Sequence, residues 1–273
     1  MPAKAACQLL TAIDDGEEAA AVLLDPNYAV QQKFDGKRII LDIGRDSITP
    51  HNREGLTCSI SPEIIKEAKA FSLLAPITLD GEWIREIKSF QTFDVLQLGG
   101  TDTKPLPFKT RQVHLQQVFK TIKARSLQLA RTEYEQARKV SLLQRIHDAQ
   151  LEGIVLKHID SPYKTDRQKT ELKYKFTAVS SFLVTKLHSP KQSVAIAVFD
   201  ANGNLVPSGD VKIRNSRFKL AEGMVIDVRY SHAFPQSHLV FQPRMISIRD
   251  DLQPEACVIS QLRYKGTKTA IIL

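Results

Sequence analysis

Apolar residues recur along this chain with two different periods. Over the first 32 residues the spacing predicts two short helices, one with Leu9, Leu10 and Ile13 on a face, the other from Glu17 to Leu24. Residues 29–43 and 75–84 read as strands, rich in β-branched and apolar side chains. Between them, Ser61-Pro62 predicts a helix start, with Ser at the N-cap and Pro at the first helical position. Ile64, Ile65, Ala68 and Phe71 supply its buried face. Leu115, Phe119 and Ile122 predict a helix from about Arg111, and Leu142, Leu143 and Ile146 another over residues 132–150. Strands return at 154–157 and 172–176. From residue 177 helical spacing gives out, and 182–188, 193–199, 210–214, 224–229 and 245–249 read as short strands. Asn202-Gly203-Asn204 marks a hairpin turn. This second pattern fits a small barrel of the oligonucleotide-binding type, and a small sandwich nearly as well.

Composition narrows the class. The 273 residues, 42% of them hydrophobic, allow one large domain or two modest ones. Lys and Arg outnumber Asp and Glu by 38 to 30, a formal charge of +8, which favours a polyanionic partner without specifying one. Cys7, Cys58 and Cys257 are odd in number and widely spaced; they suit neither a disulfide framework nor a zinc site and predict a reducing compartment. No stretch has the length of a membrane span, and residues 5–13 read as a helix rather than a secretion signal.

Against that background a few polar strings stand out. Lys33-Phe34-Asp35-Gly36-Lys37-Arg38 alone reads as a charged strand end with a turn, but strand-like residues flank it on both sides. A lysine amine is a nucleophile only when deprotonated, which requires burial or nearby cations to act on a reference pKa of ~10.4. Carboxylates follow at Asp80-Gly81-Glu82, Phe93-Asp94 and Glu152-Gly153-Ile154-Val155-Leu156-Lys157. Paired carboxylates beside a phosphate suit a hard divalent cation. Lys173 and Lys175 alternate within a strand-like run, so both face one side. That pair is either a charge-protected edge strand or a phosphate site.

Taken in order, these segments resemble the covalent nucleotidyltransferase superfamily of ATP-dependent DNA ligases, RNA ligases and messenger-RNA capping enzymes. Lys33 to Arg38 matches the K-x-D-G-x-R motif, Asn52-Arg53-Glu54-Gly55 the short arginine motif, Asp80-Gly81-Glu82 the D-G-E motif and Phe93-Asp94 the aromatic-Asp motif. Glu152 to Lys157 matches E-G-hydrophobic-K, and Lys173-Tyr174-Lys175 matches K-x-K. The resemblance implies an α+β chain: an antiparallel-sheet, ATP-grasp-like nucleotidyltransferase domain over residues 1–176, then an OB-fold β-barrel over 177–273 with a basic C-terminal tail. It implies ATP as donor, Mg²⁺ (or Mn²⁺) as metal, and a lysyl-AMP intermediate on Lys33. Asp35 and Glu82 would orient Lys33 and the ribose. Arg38 would grip the 5′-phosphate of a nick, and Arg53 the ribose or that phosphate. Phe93 would stack on adenine, with Gln31 also at the nucleotide. Glu152, with Glu82, would hold the metal, and Lys173 and Lys175 would contact the AMP phosphate. Lys37, Lys212, Arg214 and Lys219 are the expected nucleic-acid contacts, with Arg217, Arg263, Lys265 and Lys268 as further basic candidates.

The last family motif usually reads R-x-D-K. Here Ile248-Arg249-Asp250-Asp251-Leu252 keeps the Arg, expected to orient pyrophosphate, and has Leu252 where Lys is expected. The short stretch before Lys33 leaves no room for the added N-terminal domain of NAD-dependent ligases, which favours ATP. Residues 223–230 and Phe241-Gln242-Pro243-Arg244 loosely match the DNA-ligase barrel. The expected protein is thus a small, monomeric, cytoplasmic DNA ligase of the phage, viral or bacterial type, acting on nicked duplex DNA and not on membranes. An RNA ligase, a GTP-dependent capping guanylyltransferase and a non-catalytic nucleic-acid-binding protein are the alternatives.

Overall fold

The computed structural model describes residues 7–122, 124–188, 192–213 and 219–266. The chain divides into two compact units, with the break between Lys175 and Phe176.

In the first unit the elements run Leu9–Ile13 (β1), Gly16–Leu24 (α1), Tyr28–Gln32 (β2), Lys37–Ile43 (β3), Ile48–Asn52 (β4), Pro62–Ala68 (α2), Ile77–Ile84 (β5), Ser89–Leu98 (β6) and Thr101–Asp102 (β7). Phe108–Thr121 (α3), Leu127–Leu129 (β8), Thr132–Glu133 (β9), Gln136–Asp148 (α4), Gly153–His158 (β10) and Arg167–Lys175 (β11) complete it. Two sheets result, one ordered β1-β11-β10-β2-β9 and the other β4-β3-β5-β6-β7 with β8 on β6. Pairing is antiparallel except at β1–β11 and β6–β8, which are parallel. Leu41, Ile43, Leu79 and Val95 from the second sheet pack on Ile64, Phe71 and Leu115 from its helical layer. Burying each such side chain favours folding by about 1.5–3 kcal/mol.

The structure corrects several expectations. Leu9–Ile13 is a strand, not a helix, because it adds in parallel to β11, Leu9 opposite Arg167 and Ile13 opposite Tyr174. Five residues are too few for a helix to form alone, so pairing with a ready edge outweighs local spacing. Residues 29–43 are two strands broken at Lys33–Gly36, not one. Residues 132–133 are strand, so the fourth helix starts later, at Gln136. Ser61 does occupy the N-cap of α2, but its hydroxyl donates to Glu63 Oε2 rather than accepting from the helix backbone.

The second unit holds Ala178–His188 (β12), Ser193–Phe199 (β13), Leu205–Lys212 (β14), Val225–Tyr230 (β15), His232–Ala233 (β16), Val240–Phe241 (β17) and Arg244–Ile248 (β18). A five-stranded antiparallel sheet, β14-β13-β12-β15-β18, curls until its edge strands β14 and β18 touch. Phe182, Val184, Ile196, Val211 and Val228 fill the curl. This agrees with the oligonucleotide-binding alternative rather than the sandwich.

Candidate active site

Lys33 leaves the end of β2 in a four-residue turn that leads into β3. Its backbone N–H donates to Gly153 O at 2.9 Å, which fixes it beside the start of β10. The motif glycines have steric reasons. A Cβ on Gly36 would lie 2.4 Å from Trp83 O, and one on Gly153 (φ 147°) would lie 2.1 Å from Tyr174 O. Only glycine lets the backbone approach that closely.

Glu152 joins the two ends of the sequence pattern. Lys33 Nζ donates to its Oε2 at 2.7 Å, and Lys175 Nζ pairs with its Oε1 at 2.7 Å. Lys173 precedes Lys175 on the same face of β11. Burial lowers its pKa, and the charges of Lys175, Lys33 and Arg167 add to the effect. Cations gathered in this way suit an anion. Glu82 accepts from Gly36 N–H at 3.1 Å. Burial pushes its carboxyl up to about 7, with Glu152 adding repulsion and Arg38 and Lys33 opposing the rise.

From this cluster a pocket runs between the two sheets. Gln31, Lys33, Arg38, Glu82 and Phe93 line it. Gln31 Nε2 donates to Thr132 Oγ1 at 2.8 Å. The Arg38 guanidinium forms a two-point pair with buried Asp80, with Nη2 to Oδ2 at 2.6 Å, and lies 4.3 Å from the centroid of the Phe93 ring. Tyr163 donates to the same Asp80 oxygen at 2.6 Å. Arg38 is thus held rigidly, and Phe93 is no open platform but carries a cation against its ring.

Of the remaining expected residues, Asp35 and Lys37 are exposed in and after the Lys33 turn. Arg53 is exposed and pairs with Glu54 at 2.9 Å; neither it nor Asp35 lines the pocket. In the second unit Arg249 pairs with Asp227 at 3.2 Å and Asp251 at 2.7 Å. Lys212 and Lys219 are exposed there, and Leu252 is half-buried. Arg263 uses its guanidinium on the carbonyls of Phe176 and Ser231, which makes it a structural residue of that unit. Arg214, Arg217 and Lys268 lie outside the described residues.

Sequence reasoning missed the far end of the pocket, where Gln8, Lys157 and Glu171 line the wall. Lys157 is buried, 5.0 Å from the Phe93 ring centroid and 3.9 Å from Asp94 Oδ2. Beneath it Asp94 makes a two-point pair with Arg111, at 2.8 and 2.9 Å, both side chains fully buried. Burial pushes Glu171 up to about 7, against the pull of Lys157. Lys157 ends a motif already noticed, and Glu171 alternates with Lys173 and Lys175, so strand periodicity was a usable signal for both. Gln8 carried none.

Residues 85–175 match the family model for the ATP dependent DNA ligase domain. No curated protein matches. Among solved structures, a mycobacterial DNA ligase D complexed with ATP and MES is 18% identical, covering 94% of this chain and 99% of its own, with a TM-score of 0.55. A structure from a study of Lig E DNA ligases is 15% identical, covering 89% and 99%, with a TM-score of 0.66. A protein named Pmar-Lig_Pre is 16% identical, covering 92% and 68%, with a TM-score of 0.73. The chain has the fold of these ligases, and the ligase-domain match spans the aromatic-Asp, E-G-hydrophobic-K and K-x-K segments.

Proposed function

We propose that this protein is an ATP-dependent DNA ligase that seals 5′-phosphate/3′-hydroxyl nicks through AMP carried on Lys33. The observation that carries the reading is Lys33 and Lys175 on the two oxygens of Glu152, with Lys33 itself lining the pocket between the sheets.

Lys33 Nζ leaves Glu152, gives up its proton and attacks the α-phosphorus of ATP. The bond to pyrophosphate breaks as the P–N bond forms. The 5′-phosphate of the nick then attacks the same phosphorus and the P–N bond breaks. The 3′-hydroxyl finally attacks the 5′-phosphate, losing its proton, and AMP leaves. Such transfers depend mainly on positioning and charge stabilisation. Lys173 and Lys175 receive the negative oxygens, and Arg38, braced by Asp80, is the candidate grip on the nick phosphate.

Glu82 and Glu152 fit a divalent ion. The two carboxylates are near enough for the charge of Glu152 to act on Glu82. Magnesium favours that arrangement, one or two carboxylates with phosphates and water completing the shell. It would supply charge neutralisation on the phosphate oxygens.

The test is sealing of nicked duplex DNA with ATP and Mg²⁺. The wild type seals, Lys33→Ala does not, and sealing weakens steeply with salt because contacts are to backbone phosphates. Matched nicks with ribose on either side define the sugar requirement. Failure to seal, or binding unchanged from low to high salt, would contradict the reading.

A further inference from the structure

Two polar atoms in the wall of this pocket lack any hydrogen-bond partner among the described residues: Gln8 Nε2 and Glu171 Oε2. Gln8 is 3% exposed and Glu171 fully buried. Native proteins leave few buried polar groups unpaired, and two in one cavity point to a ligand that pairs them. Glu171 is held by its side chain and Gln8 by its backbone. Glu171 accepts from Ser161 Oγ through its other oxygen at 3.0 Å, and the Gln8 N–H donates to the Tyr163 oxygen at 3.0 Å. Lys157, the register partner of Glu171, is engaged with Asp94 and the rings of Phe93 and Phe108.

Their position says what part of the ligand they meet. Glu171, Lys173 and Lys175 alternate on one face of β11, opposite Lys157, Val155 and Gly153 of β10. Four residues of strand put Glu171 about 13 Å from Lys175. A mononucleotide with its phosphate at Lys175 and Lys33 therefore directs its base toward Gln8 and Glu171. A donor and an acceptor in the wall of one pocket complement an adenine edge, where an amino group adjoins a ring nitrogen. Guanine would turn a carbonyl oxygen toward the carboxylate.

We propose that Gln8 and Glu171 are the base-reading residues of the nucleotide pocket. Glu171 Oε2 accepts from the 6-amino group and Gln8 Nε2 donates to a ring nitrogen, which selects adenine. The inference rests on the ligase reading above.

The experiment follows formation of the nucleotidyl adduct on Lys33 by intact mass, AMP from ATP and purine riboside monophosphate from purine riboside triphosphate, which lacks the 6-amino group. Wild type, Glu171→Leu, Glu171→Gln and Gln8→Leu are compared. The wild type favours ATP by about 10- to 100-fold, the usual worth of a hydrogen bond to a charged group. Glu171→Leu brings the two nucleotides within about threefold, and Glu171→Gln, which keeps an acceptor oxygen, falls between. Gln8→Leu raises KM for both nucleotides by about 10-fold, with a smaller effect on kcat. If both Glu171 variants keep the wild-type preference, or slow both nucleotides equally, the inference fails while the ligase reading stands. A wild type that forms no adduct with either nucleotide overturns both.

Discussion

The two ends of the pocket are backed by the same kinds of residue, used in opposite ways. At the Lys33 end, Glu152 holds two lysines by single-point contacts, and the three side chains keep 14–30% of their exposure. At the far end, Arg111 and Asp94 are fully buried and joined at two points. An ammonium in contact with water can exchange a carboxylate for a phosphate at little cost. A planar two-point pair in the interior cannot, because separating it strands a charge. Residue type alone therefore does not distinguish an exchangeable cluster from a fixed prop; exposure and the number of contact points do.

Arg111→Ala breaks that contrast most severely. Leaving Asp94 buried without its partner should cost about 3–5 kcal/mol of stability, read from urea unfolding. A loss under about 1 kcal/mol, typical of an exposed pair, would remove the distinction. Glu152→Gln should do the reverse. Single-turnover adenylylation falls roughly 100-fold or more, while stability changes by no more than about 1 kcal/mol. Unfolding as marked as that of Arg111→Ala would refute its role at the reacting end.

Acidity gives a smaller test. Burial raises Glu171 from an ordinary 4.5 to about 7. Between those values the folded protein holds a proton that the unfolded chain has lost, so its contribution to stability falls as pH rises from about 4.5 to about 7, then levels. Glu82 follows the same course, so Glu171→Gln should flatten the decline only in part. Identical stability profiles for wild type and variant across that range would contradict the buried placement. Smallest is Leu252→Lys in the second unit, which restores a cation that related motifs carry. One exposed charge is worth a gain of about two- to fivefold in adenylylation rate, and no change in a single-turnover assay would show the position to be neutral.

The Lys33 end was the more legible of the two in the sequence. Lys33, Glu82, Glu152, Lys173 and Lys175 sit in short strings whose order is informative, and their glycines are required by close backbone approaches at Trp83 and Tyr174. The far end was hidden for a physical reason. Its strand β6 is buried along most of its length yet carries Gln91, Thr92 and Asp94, so no hydrophobic pattern announces it. Gln91 is satisfied by Ser89 and Gln128, and Asp94 by Arg111, all partners fixed only by the tertiary fold. Gln8 reaches the pocket because β1 is a strand, which helical spacing at Leu9, Leu10 and Ile13 concealed. In the barrel the strands were legible only in part: the apolar run over residues 194–199 marked β13, but the strand expected at 210–214 is Leu205–Lys212, because Leu205 and Val206 pair with Phe199 and Val198 across the hairpin.

The central claim is that Lys33 is the reacting group. Incubation with ATP and Mg²⁺, followed by peptide mapping of the intact adduct, tests it directly. The account predicts one AMP per chain, on Lys33, absent in Lys33→Ala. An adduct on Lys173 or Lys175, a GMP adduct formed in preference to AMP, or no adduct at all would contradict it.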